Sequence, residues 1–177
     1  MTLASYTWGN QLRREIQTKL KALTNDCGET LTMKDKSIII GEPIFTEVYA
    51  GRYHASKAKN EACPLVFMVF GETSLSGGNK NRTILQDRTL RCFILISKDF
   101  KEPLAASSAA IEDLLDYYRA KVVKVLNSCE SWVDGRISMN VSGADDVDAI
   151  SLMEITYRPP YYVSVIDASM TLASGQI

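Results

Sequence analysis

Pro64–Phe70 reads PLVFMVF and Arg88–Ser97 reads RTLRCFILIS, and the fold turns on these two stretches. Each is a short, almost unbroken apolar run rich in Val, Ile, Leu and Phe, which reads as a β-strand. The lack of polar alternation predicts strands buried on both faces of a sheet. Between them lies Gly71–Asp87, GETSLSGGNKNRTILQD, rich in Gly, Ser and Asn. It is far longer than the usual two-to-five-residue hairpin turn and predicts a long, projecting hairpin loop at about 71–87.

Working toward the start of the chain, Pro43–His54 carries Ile44, Phe45, Val48, Tyr49 and Tyr53, and Lys36–Gly41 carries Ile38, Ile39 and Ile40. Both read as extended, with breaks at Pro43 and Gly51. From Thr7 to Leu23 the apolar residues Trp8, Leu12, Ile16, Leu20 and Leu23 recur every three or four positions, which predicts an amphipathic helix closed near Asn25 and Gly28. Downstream, a second helix follows Pro103 with Ser107 or Ser108 as N-cap. It shows Ile111, Leu114, Leu115, Tyr118, Val122, Val125 and Leu126 on one face, with acidic residues early and basic residues late, as the helix dipole favours.

Asp134-Gly135 signals a turn, and Arg136–Gly143 then alternates as a half-buried strand. GADDVDA reads as an acidic turn. Ile150–Arg158 reads as one strand with a register shift, stopped by Pro159-Pro160, and Tyr161–Ile166 as a last extended piece before a small, polar tail. The order lacks regular strand–helix alternation. It predicts a single α+β domain over residues 1–177, with a mainly antiparallel or mixed sheet packed against two long helices.

The 177 residues are 46% hydrophobic and 23% charged with a formal net charge of -1, which is globular and too apolar for a disordered chain. Lys and Arg are scattered among Asp and Glu, so the footprint of a tight duplex binder is missing, and little repulsion opposes contact between copies. Cys27, Cys63, Cys92 and Cys129 form no closely spaced pair, so they read as free, mostly buried thiols in a reducing cytoplasm. Neither a leader nor a membrane span is expected.

Candidate chemistry is sparse. His54, the lone histidine, has no identifiable nucleophile partner. Asp145, Asp146 and Asp148 lack the glycine and glutamate of a calcium loop and read as a solvated turn. Glu112, Asp113 and Asp116 fall on the exposed face of the second helix, and Gly77-Gly78 with Lys80 and Arg82 misses phosphate-loop spacing. No catalytic, cofactor or metal residue is assigned, so no cofactor is expected. The stretch with Gly77, Gly78, Asn79, Lys80 and Arg82 reads as a flexible loop, and Tyr161 and Tyr162 after the double proline read either as core or as a contact surface, where a sheet edge would be open to a neighbouring copy.

The helix QLRREIQTKLKALT, the hairpin PLVFMVFGE with RTLRCFILIS, the helix IEDLLDYYRAKVVKVLNS and the closing strands RISMNVSG and ISLMEITYR together resemble the tail terminator proteins of tailed phages. The likeness covers most of the chain and rests on the order of elements. Pro159-Pro160 and the extension beyond Arg158 depart from it. The resemblance implies a non-enzymatic virion protein of the tail or neck, assembled in the host cytoplasm. It implies a hexameric ring that stops tube polymerisation and forms the head-joining surface, with the tail tube protein, sheath and neck or connector proteins as partners and DNA crossing the lumen unbound. It also implies assembly contacts from the long loop, at Gly77, Gly78, Asn79, Lys80 and Arg82, and from Tyr161 and Tyr162. Another neck or baseplate adaptor or stopper, a small enzyme with no recognisable motif, and a host protein-binding adaptor are the competing readings.

Overall fold

A computed structural model describes residues 8–33, 36–51, 64–76, 85–97, 108–128, 131–147, 150–152, 155–157 and 161–173. Helix α1 is Trp8–Lys21, followed by strands β1 (Leu31–Met33), β2 (Lys36–Ile38) and β3 (Glu47–Tyr49). Then come β4 (Leu65–Ser76), β5 (Leu85–Ser97), α2 (Ser108–Leu126), β6 (Ile137–Val147), β7 (Ile150–Leu152), β8 (Ile155–Tyr157) and β9 (Tyr161–Ala173). The fold is α+β, and its centre is a five-stranded mixed sheet in the order β3-β4-β5-β9-β6. The β3–β4 pair is parallel and the other three pairs are antiparallel.

The two apolar runs form the β4–β5 hairpin, and both faces are buried, as their composition predicts. Alternate side chains point to opposite faces of a strand. Val66, Met68, Leu90, Cys92, Ile94 and Ile96 face the helices, where they join Leu12, Ile16 and Leu20 of α1 and Leu114, Leu115, Tyr118, Val122 and Val125 of α2. Leu65, Phe67, Val69, Phe93, Leu95 and Val163 form a second buried cluster, in which Phe67 stacks on Phe93 with centroids 4.7 Å apart. The helix faces match the predicted apolar stripes, but at 14 and 19 residues the helices are of ordinary length.

The long loop is shorter than its composition suggests. After a bulge between Phe70 and Thr73 the ladder resumes with Thr73↔Arg88 and runs to Ser76↔Leu85, so residues 71–76 and 85–87 belong to the sheet. Polar residues extend a strand when a neighbour supplies the other half of each hydrogen bond, and β9 flanks β5 along that whole stretch. The GADDVDA turn is corrected in the same way: Gly143 to Val147 pair with Asp167 to Val163, so Asp145 and Asp146 lie in β6. Ile150–Leu152 and Ile155–Tyr157 pair antiparallel as β7 and β8, Ile150 opposite Tyr157, in place of one strand.

Further readings change. The polar stretch after Ile166 is the second half of β9, with Ala168 and Met170 in the core. And β9 lies between β5 and β6, so the strand that Tyr161 and Tyr162 open is internal to the sheet; β6 pairs with it from Val163 to Leu172, and the long edge is β6. Near α1, Ile39 and Ile40 are 53% and 59% exposed, because the chain leaves β2 at Ile38 and turns at Gly41, whose φ is +89°. Leu31–Met33, within the expected polar connection, pairs with β2.

Asn25 holds this corner together, through its side chain and not through a left-handed backbone. Only 1% exposed, it donates from Nδ2 to the carbonyls of Glu29 (2.8 Å) and Ile38 (2.9 Å), while Oδ1 accepts from the Cys27 amide at 3.1 Å. Its own amide donates to Glu42 O and its carbonyl accepts from Gly41 N, each at 2.8 Å. Beside it, exposed Asp26 pairs with Lys121 and accepts from the Tyr117 hydroxyl at 3.1 Å, which ties α2 to the end of α1. Hydrogen bonding to Lys121 holds the Asp26 carboxyl below the ordinary carboxylate range. A lowered folded-state value adds stability above the unfolded value, and this is lost as pH falls through the folded one. Acid melts of Asp26→Asn and wild type should therefore differ at neutral pH and converge below roughly pH 4. A constant difference would show the pair to be inert.

Candidate functional site

Gly9 brings the backbone of α1 against the ring of Phe70, so close that a Cβ there would lie 2.7 Å from Cε2. Phe70 is the last β4 residue before the bulge. Around this ring the structure gathers Trp8, with centroids 5.8 Å apart, and two guanidinium groups, Arg13 at 4.8 Å and Arg88 at 4.3 Å from the ring centre. Arg13 comes from α1 one turn beyond Gly9. Arg88 comes from β5, where pairing resumes after the bulge.

Stacking on an aromatic face suits a planar guanidinium and contributes about 0.5–2 kcal/mol per contact, depending on desolvation. It does not neutralise charge. Both arginines are half-buried, and each Nε is buried without an acceptor. Among the described residues neither takes part in an ion pair. Burial first, and then the neighbouring Arg88, push the Arg13 guanidinium below its usual value; burial does the same to Arg88. Two like charges beside one ring, neither ion-paired among the described residues, make a site suited to a carboxylate or other oxyanion.

The expected contact residues are distributed differently. Gly77, Gly78, Asn79, Lys80 and Arg82 lie outside the described residues. Tyr161 opens β9 opposite Ser97, and Tyr162, opposite Ile96, is half-buried against the main core. His54, Cys63, Cys129 and Asp148 also lie outside the described residues. Asp116 pairs with Arg119 at 2.6 Å, whereas Glu112 and Asp113 are exposed on α2. Cys27 is exposed, and burial pushes the Cys92 thiol up to about 12, where it is inert.

Shallow grooves lie along the helices among the described residues. One of about 440 Å³ follows Asn10, Arg14 and Thr18 of α1, and one of about 380 Å³ lies between the ends of α1 and α2 beside Lys19, Lys121 and Lys124. Lysines there suit the negative ends of two helix dipoles. Among the described residues no three His, Cys, Asp or Glu side chains converge as a metal site, and no helix is long and apolar enough to cross a membrane. The arginine pair was missed in sequence because Arg13, Phe70 and Arg88 are far apart; a strand run ending in Phe-Gly-Glu was the one available sign of a bulge. No protein-family model matches the chain, and no curated protein matches it.

Proposed function

We propose that this protein is a non-enzymatic assembly protein of the phage tail terminator type, which closes into a hexameric ring on the end of a tail tube and offers the head-joining surface. The observation that carries this reading is the open side of β6. Eleven residues long, it ends the sheet, and beyond Ile137, which bridges Trp132, its outer edge meets no strand among the described residues. Unpaired backbone groups along such an edge are a template for strand addition by another chain. Ser138, Asn140, Ser142, Gly143 and Ala144 are exposed along it, so its surface is polar, as suits a subunit that must stay dissolved before it assembles.

The order of elements supports the same reading: α1, the β4–β5 hairpin, α2 and the later strands β6 and β9 build one sheet with both helices on one face. Partners follow from the reading as the tail tube protein on one side of the ring and neck, connector or sheath proteins around it, with DNA passing through unbound. The test is the mass in solution by light scattering, with micrographs of the same sample. Six copies of the 19.7 kDa chain give a ring of about 118 kDa. A strict monomer at every concentration would move the reading to an adaptor.

The hairpin tip gives a separate check. Because Ser76 still pairs with Leu85, replacing residues 77–84 by Asn-Gly should close the hairpin with its ladder intact. The expected result is an unchanged melting temperature and impaired assembly. Unchanged assembly would remove Gly77, Gly78, Asn79, Lys80 and Arg82 from the contact.

A further inference from the structure

We infer that the Arg13–Arg88 pair is half of a contact between copies of this chain, completed by the carboxylates of Glu112 and Asp113 on a neighbouring subunit. The inference rests on the ring reading above and adds the residues that make the joint. Its first ground is the unbalanced charge around Phe70, where two guanidinium groups lie at 4.8 and 4.3 Å from the ring centre with no ion pair among the described residues. Its second is the complementary feature on α2. Glu112 and Asp113 are adjacent and exposed, and neither has a hydrogen bond or ion pair among the described residues, whereas Asp116 one turn later is held by Arg119.

Within one copy the two patches cannot meet. The C-terminal end of α2 is the one that reaches α1, where Lys19 Nζ donates to Ser128 Oγ at 3.4 Å. From Leu126 back to Glu112 the helix runs about 21 Å away from that end, at 1.5 Å per residue. Arg88 is equally remote. Arg119 Nε donates to Ser164 Oγ at 3.1 Å, Ser164 lies opposite Ile94, and Ile94 is about 20 Å along β5 from Arg88 at strand spacing.

A positive patch and a negative patch at different places on one surface make a head-to-tail contact, which closes into a ring or runs on as a filament. Guanidinium groups take carboxylates in paired hydrogen bonds, so the contact also sets an orientation. The stacking on Phe70 holds both arginines ready, which limits the side-chain entropy lost on binding.

The test is a dilution series of the full chain by light scattering for wild type, R13Q/R88Q, E112K/D113K and the fourfold variant, with circular dichroism melts beside it. R13Q/R88Q gives up two stacking contacts on Phe70 and relieves the repulsion between the guanidinium groups, so it should stay folded and melt within a few degrees of wild type, and E112K/D113K changes exposed residues only. Each pair should move the assembly midpoint about tenfold or more to higher concentration, and the fourfold variant should lose less than the two shifts combined. Wild-type assembly that is indifferent to either pair, or shifts that simply add, overturns the contact and leaves the ring standing. A wild type that stays monomeric overturns both.

Discussion

Asn25→Asp should cost about 4 kcal/mol, although it changes one amide to a carboxylate of the same shape. The Nδ2 donors to Glu29 O and Ile38 O become an acceptor facing two carbonyls, in a side chain that is 1% exposed. Each buried carbonyl left without its donor costs about 1–3 kcal/mol, and burying an unpaired charge adds to this. Urea unfolding at neutral pH measures the loss. Such a carboxyl ionises with difficulty, so its folded-state value rises and its deficit is largest above the unfolded value. The gap to wild type should narrow as pH falls toward roughly 4, where the neutral acid regains one donor. Asn25→Ser, which keeps an acceptor for the Cys27 amide, should lose less. Equal losses for Asp and Ser would show that the two carbonyls find other donors.

Phe67→Ala should lower the melting temperature by about 10 °C, as much as a truncation in the main core. Removing a fully buried Phe costs about 3–5 kcal/mol, and about 2–4 °C of melting temperature goes with each kcal/mol in a chain of this size. Phe67 is 0% exposed, but it belongs to the sheet face turned away from α1 and α2 and leans on Phe93. A loss comparable to Ile94→Ala, on the helix side, would show that the sheet is sealed on both faces. A loss below about 1 kcal/mol, typical of exposed positions, would mean the second face is wet.

What was legible in the sequence follows how local each signal is. The stripes of α1 and α2 and the apolar runs of β4 and β5 declare their environment in their own composition. Leu12, Ile16, Leu20, Val66, Met68 and Ile94 lie where their periodicity puts them. The failures occur where a distant partner decides the conformation. Asp145 and Asp146 are poor strand formers and extend only because Val165 and Ser164 pair with them. Ile166, Ala168 and Met170 alternate with Asp167 and Ser169, a period of two that small side chains made easy to pass over. The run Ile38-Ile39-Ile40 errs the other way, since β propensity cannot place a turn that Asn25 and Gly41 make from outside it. Most of the expected contacts lie outside the described residues. The site around Phe70 depends on three elements meeting, which no window of sequence contains.

The position of β9 has a consequence for how the molecule is built. It is inserted between β5 and β6, and Arg91 and Asp167, joined across that ladder at 2.9 Å, are 76 residues apart in the chain. The β4–β5 hairpin can form from local sequence, but its β5 side, including Phe93 and Leu95, stays open until β9 arrives. High contact order slows that arrival, and the waiting hairpin is the species most exposed to pairing with the wrong chain. The most adhesive intermediate thus arises early in folding. Production yields should respond more to concentration and to the rate of synthesis than the final stability alone would suggest.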